Sequence, residues 1–384
     1  MSGIGTRFFS QLLTKASFYL FIAAAFLAGC ALPQPDATGR PAPVLGRVIV
    51  LTGVRGTRPN LGVPGRIDHM AYDPATHRLF VSALENGSLE VLDLEQGTRV
   101  QSIGGLSHPQ GVAIVPGSSC AVSAGGGDGM AHVYDTRTLV ERTHINIGLD
   151  ADNVRYDPAA NEVYICYGST NEGFIAVLDP RTWGKLRDLP FASKPESFQL
   201  EPGSNRLFAN LPGGKNLSKD GVVVSVNRHD GKIETQTQLK NRARNFPMAL
   251  DPVHQRVFIV SREPARLMEL DARDCSVLAE AACTDDSDDM YYDAEAGRVL
   301  VIGGGFRPDA QDAGTASPAS PPGEMGAIDV FSVGPNGEMA RVASTPTGIH
   351  ARTGLFVPSR RAVYVAVPMR DGRDPEIREY KVPR

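Results

Sequence analysis

The chain has 384 residues, a formal net charge of −4, 42% hydrophobic residues and five cysteines. Mild acidity without a Lys/Arg-rich run excludes the electrostatic footprint expected of a nucleic-acid binder. The length exceeds what one ordinary hydrophobic core organises, so a repeat or several domains must divide it.

Arg7 and Lys15 precede an apolar stretch, residues 16–27, that ends in Leu27, Ala28, Gly29 and Cys30. A basic start and an apolar run too short to span a bilayer comfortably read as an export leader. Small residues followed by Cys30 resemble a bacterial lipobox, cut before the cysteine and acylated on its thiol. An ordinary secretory leader with an incidental cysteine is the alternative. Ala31 rather than an Asp after the cysteine favours the periplasmic leaflet of the outer membrane. The expected organisation is a lipoprotein signal peptide over 1–29, lipidated Cys30 with a Pro-rich tether over 30–43, and one folded domain over 44–384.

From residue 68 onward one unit recurs: a polar residue, a short apolar run, a tight turn and further short strands. Its turn anchors are Asp73, Val115, Asp157, Glu201, Asp251, Asp293 and Val357, most of them 42–44 residues apart. A period of roughly 40–45 residues with four short strands per unit predicts an all-β, seven-bladed β-propeller. Blade one shows the pattern in strands over 68–73, 78–83, 88–93 and 99–103. Blades three and five repeat it. The last unit holds three strands, 353–357, 362–367 and 377–382, and the run 47–52 has no blade of its own. That run is therefore expected to supply the missing outer strand and close the ring.

Blades four and six carry insertions, residues 211–221 and 306–326. The second is low in complexity and reads as surface decoration or a lid. An outer strand between Cys275 and Cys283 holds them too far apart to bond, and Cys120 and Cys166 are offset on neighbouring blades, so no essential disulfide is expected. The glycine runs 125–127 and 303–305 lack the Gly-Lys-Ser/Thr of a phosphate loop.

In a propeller the residues before each inner strand ring one mouth of the central channel. Five positions before the anchors stand Asp68, Gln110, Asp152, Glu196, Phe246, Asp288 and Arg352. Four before stand His69, Gly111, Asn153, Ser197, Pro247, Asp289 and Thr353. Four carboxylates of the first set face one cation, Arg352. Crowded carboxylates must share protons, be solvated or recruit a cation. Three arrangements stay open: a hydrated acidic mouth tied by Arg352, a hard cation such as calcium held by Asp152, Asn153, Glu196 and Asp288, or an acid–base pair beside His69. His69, His108 and His350 read as hydrogen-bonded loop histidines rather than as a ligand trio. Asn86, Asp128, Asn171, Arg262 and Arg373 are expected above the same face. The lone Trp183 falls in an outer turn, which argues against the tryptophan ring of quinone-dependent propellers.

The segments Arg66–Pro74, His108–Ala113, Asp150–Pro158, Lys194–Leu200, Asn245–Asp251, Asp288–Asp293 and Ala351–Pro358 together resemble the YncE-like, YVTN-type bacterial seven-bladed propellers over about residues 44–384. The resemblance implies an exported propeller that binds something across one face; a small-molecule or protein partner and a monomeric chain are expected. A more distant likeness, to the gluconolactonase and regucalcin propellers, implies a divalent ion held by a Glu, an Asn and an Asp, roles that Glu196, Asn153 and Asp288 match by analogy. That family has six blades and its own motifs. The leading expectation is thus a lipid-anchored periplasmic binding or scaffold module, and the alternative is a metal-dependent, lactonase-like hydrolase.

Overall fold

The computed structural model describes residues 42–55, 65–212, 220–305, 326–334, 337–370 and 372–384. The leader, Cys30, most of the tether and most of both insertions lie outside the described residues.

Seven four-stranded antiparallel sheets follow one another along the chain. Blade one comprises Met70–Asp73, Arg78–Ala83, Ser88–Asp93 and Thr98–Gly104. Blade two comprises Pro109–Val115, Cys120–Gly125, Met130–Asp135 and Glu141–Asn146. The two middle strands of each blade are almost wholly buried because neighbouring blades cover both faces, as in Cys120–Gly125. Outer strands alternate between exposed and half-buried positions, as in Thr98–Gly104.

The blade turns are written in side chains. Asp73, Asp157 and Asp251 each accept a hydrogen bond from the N–H two residues on, at 3.0, 2.9 and 3.1 Å. Asp93, Asp135, Asp179 and Asp271 do the same at the outer hairpins. These Asx turns favour reversal over continuation of the strand. Trp183 takes a positive φ in one such outer hairpin, far from the channel.

The last sheet is closed by the other end of the chain. Val44–Val50 pairs antiparallel with Glu376–Lys381, with Val44 opposite Lys381 and Val50 opposite Glu376. The strand begins earlier than the 47–52 expected, because a register shift between Leu45 and Val48 lets Val44 and Leu45 join the ladder. Leu51, just beyond it, is fully buried among Met70, Leu79, Tyr364 and Ile377 between blades seven and one. Six further apolar clusters fill the other interblade spaces. The cysteines Cys120, Cys166, Cys275 and Cys283 are free.

Arginines stitch neighbouring blades on the face where the inner hairpins turn. Arg78 donates to the carbonyls of Thr136 and Arg137 at 2.7 and 2.8 Å. Arg361 pairs with both oxygens of Asp293 at 2.7 Å, and Arg360 reaches Glu95 at 2.6 Å across the closing seam.

Leu51→Ala leaves a cavity at that seam and should cost about 2–5 kcal/mol. Urea denaturation should show a lower midpoint, and an unchanged midpoint would mean that the seam carries little of the stability.

Candidate binding site at the channel mouth

The turn into each inner strand is tight, and five of the seven place a left-handed residue seven positions before the anchor: His108, Asp150, Arg244, Asp286 and His350. The chain then reverses toward the axis and presents the next residues to the mouth. Close approach is built in at Gly111, where an added Cβ would lie 2.1 Å from the carbonyl oxygen of Asp152.

His69 organises the centre. It projects from blade one, whose neighbours are blades two and seven, yet its contacts are on blades three and six. Nδ1 lies 3.2 Å from Asp289 Oδ1, and Nε2 lies 3.1 Å from the Asn153 amide and 3.8 Å from Asp152 Oδ1. The imidazole therefore crosses the channel axis and gives the mouth a floor. Burial disfavours its charged form, but the carboxylates of Asp289 and Asp68 outweigh this and push its pKa up to about 10. The Asn153 atom 3.1 Å from Nε2 is Nδ2. Asp289 is itself fixed by the Gly354 N–H, which donates to Oδ2 at 2.9 Å.

Two charged knots flank this floor. In the first, Lys194, almost buried, lies 2.8 Å from Asp150, 3.0 Å from Asp152 and 3.8 Å from Glu196. Gln110 of blade two adds a donor to Asp150 at 3.0 Å. Burial raises the pKa of Asp152, but Lys194 and His69 overcome it and hold that carboxyl below its ordinary value. Glu196 behaves oppositely. Burial, with Asp152, Asp150 and Asp288 adding to it, outweighs Lys194 and pushes its pKa up to about 7. Its side chain keeps 26% exposure, so it faces the open cup while protein atoms surround its base.

In the second knot Arg262 and Arg352 clamp Asp286 and Asp288. Arg352 lies 3.1 Å from Asp286 and 3.0 Å from Asp288, while Arg262 lies 3.4 Å from Asp286 and pairs with Asp288. Burial works against both carboxylates, but the two guanidinium groups hold them below the usual range. Phe246, the apolar member of the ring, lies under Arg262 with the guanidinium 4.2 Å from its ring centre, a cation–π contact.

The ring residues Asp68, Gln110, Asp152, Glu196, Phe246, Asp288 and Arg352 thus come to one mouth, with His69, Asn153 and Asp289 at its floor. The charge balance differs from one cation facing four acids. Arg66 lies 2.9 Å from Asp68, and Lys194, Arg262 and the charged His69 join Arg352. Arg66 and Lys194 stand seven positions before their anchors, two residues outside the ring read from the sequence. Arg262 comes from the end of a second strand and leans inward. Asn86 instead bonds Ser88 at 2.7 Å, Asp128 caps its own turn at Met130 N, and Arg373 bridges to Arg370. His350 lies 3.9 Å from Asp286, and His108 serves as a left-handed turn residue.

The four residues proposed for a hard cation do not converge on one point. Asp152 and Glu196 share Lys194, Asn153 faces His69, and Asp288 lies between two arginines. Oxygen-ligand ions need several oxygens directed at one centre, and here built-in cations take that place. Two buried acceptors nevertheless lack a protein hydrogen bond, Oδ1 of Asp68 and Oδ1 of Asp152, with His69 Nε2 the nearest cation to each at 3.7 and 3.8 Å. Burial raises the pKa of Asp68 despite Arg66 and His69.

The architecture defines the protein as a closed seven-bladed β-propeller with a charge-lined channel mouth on one face. No family model matches the chain, and no curated protein matches it. Among solved structures it is similar to a chain of Kuenenia stuttgartiensis hydrazine synthase, with 13% identity, TM-score 0.58, and coverage of 84% of this chain and 99% of that one. It is also similar to a chain in a crystal structure of the mitotic checkpoint complex, with 10% identity, TM-score 0.67, and coverage of 93% and 98%. At these identities the likeness extends to the fold.

Both raised pKa values favour the proton-rich folded state. The Glu196 contribution is complete below about pH 4.5 and is lost as pH rises through about 7; that of His69 is complete below about 6.5 and is lost through about 10. Glu196→Gln mimics the protonated acid. It should leave the melting temperature near wild type at pH 5 and raise it relative to wild type at pH 8. Equal melting temperatures at both values would show that Glu196 titrates normally.

Proposed function

We propose that the chain is a lipid-anchored periplasmic binding module of the YncE-like kind, and that the cup receives a cationic, donor-rich group of a ligand or protein partner. The observation that carries this reading is the pair of buried carboxylate oxygens, Oδ1 of Asp68 and Oδ1 of Asp152, without protein hydrogen bonds. Buried acceptors gain most from a charged donor, since bonds to charged groups are worth about 1.5–3 kcal/mol. The surrounding cations belong to fixed pairs, so they shape the cup rather than offer a free anion site. The presence of a similar propeller in a multiprotein complex is in keeping with a docking role. The leader and Cys30 support export and acylation, and Ala31 supports the outer membrane.

The hydrolase alternative draws less support. A divalent ion would have to displace Lys194 from Asp152 and Glu196. A His69 held protonated up to about pH 10 also lacks the free lone pair of a general base at neutral pH.

Arginine amide and spermidine should raise the melting temperature of the protein, and citrate should not. Asp68→Asn and Asp152→Asn should each weaken the cationic probes about tenfold or more while the fold persists. Binding indifferent to both substitutions would remove the cup from the function. Separately, Cys30→Ser should abolish incorporation of labelled palmitate and move the protein from the membrane to the soluble fraction; unchanged membrane retention would exclude the anchor.

A further inference from the structure

A second constellation lies on the outer edge of blade two, apart from the mouth. Its strands are Met130–Asp135 and Glu141–Asn146. Glu141 and His144 are three residues apart and would point to opposite faces of a regular strand. A bulge changes this. Tyr134 pairs with Glu141 and Val133 with Thr143, which leaves Arg142 as the extra residue. Glu141 thereby returns to the face that carries His132 and His144, themselves direct cross-strand partners.

The three side chains meet. His132 Nδ1 lies 3.0 Å and His144 Nδ1 3.1 Å from the same oxygen of Glu141. One ligand atom from each residue falls within 4.8 Å of the other two, and among the described residues this is the group of His, Cys, Asp and Glu that does so. Zinc takes His nitrogen and carboxylate oxygen at about 2.0–2.2 Å in a tetrahedron, which sets its ligands roughly 3.2–3.6 Å apart. The two nitrogen-to-carboxylate distances, 3.0 and 3.1 Å, lie close to that spacing. His132 is held beside Tyr134, with ring planes 18° apart, and its Nε2 is buried, so Nδ1 is the nitrogen it can offer. Exposure rises from 18% at His132 to 38% at Glu141 and 61% at His144. The site has a fixed base and an open side.

The same three corners in other blades show what this triangle does, with an acid at the corner of His132 and a cation at the bulged corner of Glu141. In blade one Glu90 binds Arg99 at 3.1 Å and Ser102 at 2.6 Å. In blade six Asp329 binds Arg341 at 3.4 Å and Ser344 at 2.6 Å. Each joins an acid to a permanent side-chain cation. Blade two places its acid between two imidazoles instead, and imidazole with carboxylate suits zinc, nickel or copper better than calcium or magnesium.

We propose that His132, Glu141 and His144 form a binding site for a divalent transition-metal ion of the zinc class, with three protein ligands and a coordination position open to solvent. The site is independent of the mouth.

The full-length protein in detergent, stripped with chelator, would be titrated with zinc chloride and with calcium chloride by calorimetry. One zinc per chain and no calcium response are expected. His144→Ala and Glu141→Gln should each weaken zinc at least about tenfold, with melting temperatures confirming that both exposed-strand variants fold. Asp68→Asn at the mouth should bind zinc as wild type does. Absence of zinc uptake by wild type, uptake unchanged in both blade-two variants, or uptake lost with Asp68→Asn alone would each overturn the proposal.

Discussion

Everything at the mouth depends on the ring being closed. Val44–Val50 pairs with Glu376–Lys381, and this holds blade seven against blade one. Arg352 is then fixed over Asp286 and Asp288 of blade six. The Thr353 hydroxyl donates to the Ile67 carbonyl at 3.0 Å across the seam, just before Asp68 and His69. A propeller open at this point would keep its separate sheets, but the residues of the cup would have no common centre. Fold and site are coupled through a few strand pairs at the chain ends and the buried Leu51 beside them.

Within the closed ring, charge does the shaping. Burying a carboxylate costs several kcal/mol unless a partner offsets it, and the cup solves this with fixed pairs contributed by different blades. Lys194 joins blades three and four, Arg262 and Arg352 bring five and seven to six, and His69 ties one to three and six. Such pairs stabilise little compared with well-packed apolar groups, yet losing one partner strands the other charge. The network therefore favours one arrangement of the seven blades over near alternatives, and leaves open only the oxygens it does not use.

The repeat was legible because the turn chemistry is local. Asp73, Asp157 and Asp251 announce their turns in sequence, and the apolar runs between them show the strands. The polar ring five positions before each anchor was legible for the same reason. Of its counter-charges, Arg352 and Arg262 were expected at this face, but Arg66, Lys194 and the pairing of Arg262 with the acids of blade six were not. Arg66 and Lys194 sit in the preceding turns, where a charged residue ordinarily faces water, and Arg262 ends a strand on a different blade from the acids it meets. Only the folded contacts of Arg66 with Asp68 and of Lys194 with Asp152 show that those positions also face inward. His69 was legible as a mouth residue but not as its floor, because contact with blades three and six depends on the channel width, which no single repeat encodes.

The outer edge of blade two shows a deeper limit. Periodicity assigns Glu141 and His144 to opposite faces, and one extra residue reverses that assignment. The same bulge recurs in most blades, shifting register beside Leu92, Leu178, Val226, Leu270 and Phe331. It is thus a property of the repeat rather than a local accident. A repeated backbone irregularity gives these blades the same three-cornered arrangement on their outer strands. The side chains placed there then decide what each site holds: an internal guanidinium at Glu90 and Asp329, and two imidazoles about a carboxylate at Glu141. Divergence of function along such a chain requires no change of fold, only substitution at corners that the bulge has already brought together.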